Sequence, residues 1–265
     1  MGNIGDDAIL AGMRLAYPDL MAISPCDPGD GPWMTKEQFL REKVSGGQLI
    51  VGGGGLLHSQ GNLTEHLGRL VSGCIARGMT VDMLGLGLEG PCSEDTIRAF
   101  LSMGRRVGLR SKLSLRLAAK LGIGAFFHQD FAALAVKSAR PETNLGLRGC
   151  DLIIPRLDGP DGVNAMYKVY GECLAAGRNP EIVLHVARHK LDPSLSEEDV
   201  LLEAMGADAP PTYWVPRLWQ DVLSAYSEAR HVHTNRYHGA LFAECLGIPW
   251  RPFGSGDKHQ DVTLQ

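Results

Sequence analysis

The segment "HVHTNRYHGALFAECLGIP" (231–249) sets Arg236 and His238 two residues apart, where a short polar strand gives way to an apolar helix. An arginine at a strand end offers a planar, bidentate fork to a carboxylate or a phosphate. The N–H groups of the helix start add donors for the same anion. A histidine two residues on is suited to proton transfer near neutral pH. A surface arginine beside a capping histidine is the ordinary alternative, but it leaves their shared place at a strand end unexplained. The pair therefore reads as an anion-binding arginine next to an acid, with Tyr237 between them in the binding surface.

Other stretches carry weaker signals. "MGNIGDDAIL" places Gly2 and Gly5 around Asn3, with Asp6 and Asp7 at a helix start. Glycines there let backbone N–H groups approach a ligand, although Asp is also a common helix cap. Gly52 to Gly55 follow an apolar run. Glycines weaken a strand, so Gly53 and Gly54 read as a loop passing close to substrate. Arg110 in "VGLRSKLS" either faces a cleft or is a helix-start arginine facing solvent. Asp130 in "HQDFAAL" is either a cap or a cleft carboxylate, and Arg156 ends the strand of "IIPRLDG".

His185 and His189 lie four apart in "LHVARHK", but His185 falls in a strand and no glutamate separates them, so a metal-binding helix is not indicated. His185 reads as a core histidine and His189 as a second candidate acid. His231 and His233 share a strand face with no carboxylate or cysteine close in sequence, a thin basis for zinc. "GLGLEG" (85–90) spells G-x-G-x-x-G, but Pro91 follows it, and Arg110 stands where the ribose-binding acid belongs. A strand-end turn fits it better than a dinucleotide site. No metal or cofactor is expected.

These residues need elements to position them, and the chain supplies strands alternating with helices. Apolar runs at Leu20–Ile23, Leu49–Gly52, Val81–Leu86, Arg106–Leu109 and Ala125–Phe127 predict strands. Helices are predicted at Ala8–Tyr17, Lys36–Glu42, Leu63–Arg77, Ser93–Leu101 and Lys112–Leu121, with Asp6, Thr35 and Ser93 as cap candidates. The polar stretch 137–150 reads as a linker. After it come strands Leu152–Pro155, Ile182–Val186 and His231–Thr234, and helices Val163–Ala176, Glu197–Met205, Leu218–Ala229 and Gly239–Leu246. Alternation of this kind predicts an α/β fold of parallel sheets in two Rossmann-like domains facing a cleft, residues 1–146 and 147–265. Ligands sit beyond the carboxyl ends of such strands. No strand precedes the glycine turn at the start, so the first strand of the N-terminal sheet is expected to be missing.

Composition limits the partners. The 265 residues are 44% hydrophobic, enough for a sizeable core, and the formal net charge of -4 gives no global basic field for nucleic acid. Six scattered cysteines form no CxxC pair, the pattern of reduced thiols in a cytoplasmic protein. No apolar run is long enough to span a membrane, and no signal peptide is evident at the start.

In this order the pieces resemble the polysaccharide pyruvyl transferase family. The matching stretches are Gly2–Asp6, Gly52–Gly55, Gly85–Pro91, Arg110–Ser114, Asp130–Ala132 and Arg236–Pro249. The last block is the most specific, with Tyr237 where the family usually has leucine; Phe131 stands in place of a proline. The resemblance implies a GT-B-like fold. It also implies transfer of pyruvate from phosphoenolpyruvate to a sugar of a polysaccharide or its lipid-linked precursor, forming a ketal, at the cytoplasmic side of a membrane. On this reading Arg236, Arg156 and Tyr237 of the C-terminal domain hold the donor, with Arg110 reaching it from the other side of the cleft. His238, or else His189, is the acid. Asn3, Asp6, Gly53, Gly54 and Asp130 lie on the acceptor side or its loops. Two alternatives remain: a GT-B nucleotide-sugar glycosyltransferase, and a non-catalytic fragment that binds sugar phosphates.

Overall fold

The computed structural model describes residues 4–24, 34–42, 46–54, 63–88, 92–141, 147–157, 160–185, 197–205, 213–254 and 262. The chain forms two compact units, Ile9–Phe131 and a second that joins Met1–Ala8 to Ala132–Gln265. The division expected at 146/147 therefore lies inside the second unit, and the chain's first eight residues also belong there.

The unit Ile9–Phe131 takes in most of α1 (Ile4–Ala16) and then β1 (Ile23–Ser24), β2 (Met34–Thr35), α2 (Lys36–Arg41), β3 (Gln48–Gly52) and α3 (Leu63–Ile75). It continues through β4 (Thr80–Leu86), α4 (Glu94–Leu101), β5 (Arg106–Leu109), α5 (Lys112–Lys120) and β6 (Phe126–Phe127). The sheet runs β3-β4-β5-β6 with every pairing parallel. Val51, Met83 and Leu109 from its strands pack with Leu70, Val71, Leu101 and Ala118 from the helices in one core. The predicted strand at Leu20–Ile23 does not join this sheet. It shortens to β1 and pairs with β2 in a separate two-stranded sheet. Ser93 caps α4, its Oγ accepting from the Thr96 N–H at 3.2 Å, while Asp6 lies inside the first turn of α1 and not at its cap.

The second unit holds most of α6 (Phe131–Ser138), then β7 (Asp151–Ile154), α7 (Pro160–Ala175), β8 (Pro180–Val183), α8 (Glu197–Met205), β9 (Tyr213–Trp214), α9 (Trp219–Glu228), β10 (His231–Thr234), α10 (Tyr237–Leu246) and β11 (Trp250–Pro252). Its sheet is also wholly parallel, in the order β11-β10-β7-β8-β9. All four residues of central β7 are buried, the pattern of a parallel strand covered on both faces. Pro160 opens α7, where a missing N–H goes unnoticed, and Gly247 ends α10 at φ 68°. The order places the start of α10, the end of β8 and the loop after β7 at the carboxyl edge of one sheet. Helix α6 and the two edge strands β9 and β11 are additions to the sequence reading. Among the described residues no helix is long and apolar enough to cross a membrane.

Candidate functional site

At the carboxyl edge of the second unit's sheet, β10 ends at Thr234 and Arg236 becomes the N-cap of α10, in extended conformation. Thr234 fixes this corner. Its hydroxyl donates to the Ile154 carbonyl at 2.9 Å and accepts from the Arg236 N–H at 3.0 Å. Asn235 then clasps the loop after β7, accepting from the Arg156 N–H at 2.5 Å and donating to the Arg156 carbonyl at 3.3 Å. The Arg236 side chain continues the clasp. Its Nε donates to the Pro155 carbonyl at 2.7 Å, and its Nη2 pairs with Glu197 Oε1. That same oxygen accepts from the Leu157 N–H at 3.1 Å. Glu197, the first residue of α8, is 6% exposed, and its Oε2 is buried without a hydrogen-bond partner among the described residues.

His238 lies in the first turn of α10, half-buried, with Tyr237 edge-on at 5.4 Å between ring centres. Gly5 of α1 lies against it: a Cβ at Gly5 would fall 2.0 Å from His238 Nδ1. The glycine of the "GNIGDD" turn is thus required by the close approach of a histidine. The neighbouring Ile4 N–H donates to the His185 carbonyl at 3.1 Å. Both contacts lie within the second unit.

His185, just past β8, is the least expected member of this edge. It is 1% exposed and packs against Phe242 at 5.8 Å and Tyr226 at 6.2 Å. Among the described residues neither ring nitrogen has a hydrogen-bond partner. Burial, and then the charges of Arg236 and His238, push its pKa well below the ordinary histidine value, so the ring is neutral. Reading it as a core histidine is correct for its burial but misses its neighbours. Nothing in the sequence signalled Glu197 either, because it joins Arg236 from 39 residues away.

The opposite, amino end of the same sheet carries a second polar cluster. Asp151 opens β7 with no exposure. Its Oδ1 accepts from Arg230 Nε and Nη2 at 3.0 and 2.7 Å, and its Oδ2 from Arg178 at 2.9 Å and His233 Nε2 at 3.0 Å. The Cys173 thiol lies 3.6 Å from Oδ2, and Arg251 Nε donates to His233 Nδ1 at 2.7 Å. Burial acts to raise the Asp151 pKa, but His233, Arg230 and Arg178 outweigh it and hold the carboxyl well below its usual range. His231 lies tilted against His233, with ring centres 4.7 Å apart, and its Nε2 has no partner among the described residues. The "HVH" strand therefore does have a carboxylate and a cysteine beside it, brought from distant positions. Asp151, Cys173 and His233 form a trio with metal-ligand atoms within 4.8 Å of one another. The guanidinium and imidazole donors already occupy those ligand atoms, which makes the trio a poor cation site.

In the unit Ile9–Phe131 the expected residues have structural partners. Arg110 follows β5 and is 3% exposed, not solvent-facing. Its Nη1 pairs with Asp130 Oδ2 at 2.7 Å, inside the fold. Next to it Ser111 caps α5, and Ser114 Oγ accepts from the Leu88 N–H at 2.9 Å. Gly53 and Gly54 extend the pairing beyond β3, with Gly53 N donating to Leu84 O and Gly87 N to Gly54 O. Gly53 stands at φ 70°, where a Cβ would meet Ile9 at 2.3 Å, so packing against α1 explains it without a substrate. Asn3 and His189 lie outside the described residues. Arg156 and Tyr237 stand at the carboxyl edge with Arg236 and His238, while Asp6 follows Gly5 in α1.

An arginine, two histidines and a buried carboxylate at one sheet edge can bind an anion and move a proton. Solved structures of similar fold agree with the two-sheet architecture. A Listeria monocytogenes protein described as a candidate UDP-N-acetylglucosamine 2-epimerase is 13% identical, with a TM-score of 0.63 over 100% of this chain and 80% of its own. A functionally uncharacterised protein from Klebsiella pneumoniae is 15% identical, with a TM-score of 0.55 over 99% of this chain and 84% of its own. The UDP-GlcNAc 2-epimerase of Methanocaldococcus jannaschii, in complex with UDP-GlcNAc and UDP, is 11% identical with a TM-score of 0.55, over 82% of this chain and 62% of its own. At these identities the likeness establishes a GT-B-like fold of two Rossmann-like domains and nothing of the ligand. No curated protein sequence matches the chain. The family model described as polysaccharide pyruvyl transferase matches residues 3–257, from the glycine turn to beyond β11, and the chain belongs to that family.

Proposed function

We propose that the protein transfers pyruvate from phosphoenolpyruvate to a sugar, as a ketal, with its donor site at the carboxyl edge of the second sheet. The observation that carries this reading is the pairing of Arg236, N-cap of α10, with His238 in that helix's first turn. The fork and the helix N–H groups hold the donor's carboxylate and phosphate. A sugar hydroxyl attacks C2 of the enol phosphate and loses its proton to solvent while the His238 imidazolium delivers a proton to C3. The C2–O bond to phosphate then breaks, phosphate leaves with the electron pair, and a neighbouring hydroxyl closes the ring on C2, its proton passing to the departing phosphate. Arg156 is the reserve cation, since its backbone is clasped beside Arg236. The role expected of Arg110 is weaker, because Asp130 already neutralises it within the fold. The reaction needs no metal or nucleotide.

The sugar belongs to a polysaccharide or to its lipid-linked precursor, reached at the cytoplasmic face of a membrane by peripheral contact. Phosphate release from phosphoenolpyruvate, measured across lipid-linked and nucleotide-linked sugars, tests the reading. Release dependent on one acceptor and on His238 supports it, and no release with any acceptor contradicts it.

A nucleotide-sugar glycosyltransferase is the second reading, favoured by the likeness to epimerases named for UDP-GlcNAc. It requires a carboxylate for the ribose. Glu244, a carboxylate further along α10, instead accepts from Trp250 Nε1 at 3.1 Å in an exposed contact. Thermal shifts with UDP-sugars but none with phosphoenolpyruvate would favour this second reading.

A further inference from the structure

We infer that Glu197 is a built-in counter-ion of the anion site, holding Arg236 until an anionic ligand displaces it and so weakening the hold on the phosphate product. The inference rests on reading Arg236 as the anion-binding residue. Acidic side chains are seldom buried unless fully paired. Glu197 is buried, yet its pairing is lopsided. Oε1 takes both Arg236 Nη2 and the Leu157 N–H, while buried Oε2 takes nothing among the described residues. Asp151, in the same unit, has charged donors on both oxygens. A carboxylate kept only for folding would resemble Asp151.

The rest of the corner is built to survive the exchange. Arg236 Nε stays on the Pro155 carbonyl, and its backbone N–H on Thr234, whether or not Glu197 holds the other end of the guanidinium. Asn235 independently fixes the loop at Arg156. The arginine is therefore preorganised by neutral groups and paired with a buried carboxylate. A ligand anion arriving at the guanidinium meets that carboxylate as a competitor of like charge. Such juxtaposition lowers affinity and speeds departure. Phosphate leaves the proposed reaction as a multiply charged anion, and without a competitor Arg236 would retain it. Glu197 acts through Arg236 and is a positioning residue, not a catalytic one.

The test uses inorganic phosphate as the probe, titrated calorimetrically into the full chain. Glu197→Gln keeps an oxygen for Arg236 and for the Leu157 N–H but removes the charge. It is expected to bind phosphate about tenfold tighter than wild type, and to show product inhibition at correspondingly lower phosphate. Glu197→Ala removes the same charge and should change affinity in the same direction. In an Arg236→Lys background, Glu197→Gln should have much less effect, because the coupling runs through the fork. Equal or weaker phosphate binding by Glu197→Gln overturns the inference. So does failure of both variants to fold, which would make Glu197 a structural anchor. Phosphate binding that is unchanged by Arg236→Lys alone instead contradicts the anion-site reading itself, and the two failures are distinguishable.

Discussion

The two ends of the second sheet carry polar clusters built on buried carboxylates of opposite completeness, Asp151 and Glu197. At the amino end, Asp151 receives charged donors on both oxygens, and both ring nitrogens of His233 are engaged. At the carboxyl end, among the described residues, Glu197 leaves one buried oxygen idle, and His185 leaves both ring nitrogens idle in a buried position. An unsatisfied buried polar group costs about 1–3 kcal/mol. Evolution for stability alone would fill such positions with apolar side chains of similar shape. Under the proposed function, the difference separates a carboxylate that holds the sheet together, Asp151, from one that belongs to the anion site, Glu197.

The largest expected effect is at the complete end. Asp151→Ala leaves Arg178, Arg230 and His233 without their shared acceptor and should cost roughly 3–5 kcal/mol in urea unfolding. A loss under about 1 kcal/mol would break the comparison. The acid limb sharpens it. Asp151 has a depressed pKa in the folded state, so the unfolded chain binds its proton first as pH falls. Its contribution is present above the unfolded carboxylate value near 4 and is lost below it.

At the incomplete end the effect is on chemistry. His238→Gln should lower turnover by about 10²–10⁴ while donor affinity stays within a few-fold. Weak donor binding with normal turnover at saturation would make His238 a binding residue only, and would move the acid role to His189.

A smaller effect is expected at His185. Its folded pKa is depressed, so below about pH 6.5 the unfolded chain takes up a proton that the folded chain refuses, and stability falls with pH. His185→Phe keeps contact with Tyr226 and Phe242 and removes both idle nitrogens. Its melting temperature should match or exceed wild type, and its stability between pH 7 and 5 should fall less steeply. A variant clearly less stable at pH 7 would mean that His185 has a structural partner.

Much of this architecture is legible in local pattern. The apolar runs at Leu49–Gly52 and Val81–Leu86 match β3 and β4, because parallel strands covered on both faces are continuous in sequence, and the short polar strand at His231–Thr234 is β10. The corner at Arg236 and His238 is legible for the same reason, since strand end, cap and first helical turn are consecutive. Helix α6 escaped notice because "FAALAVKS" is apolar nearly all round and shows no period. Edge strands β9 and β11 span two and three residues, too short for alternation to register. The site's electrostatic partners were illegible on different grounds. Glu197, Asp151 and Asp130 reach their arginines or histidines from 20 to 82 residues away, and only the strand order brings them together.

The same conservative substitution at both ends tests the central claim most directly. Arg236→Lys and Arg230→Lys each keep a positive charge and lose a planar fork. Phosphoenolpyruvate is titrated calorimetrically into each, alongside thermal unfolding. Arg236→Lys is expected to weaken donor binding about tenfold with little change in melting temperature, because a point charge replaces the bidentate contact. Arg230→Lys is expected to lower the melting temperature by roughly 2–4 °C and leave donor affinity as in wild type. Donor affinity that is unchanged in Arg236→Lys, or lost equally in both, would contradict the assignment of the donor site to the carboxyl edge of the sheet.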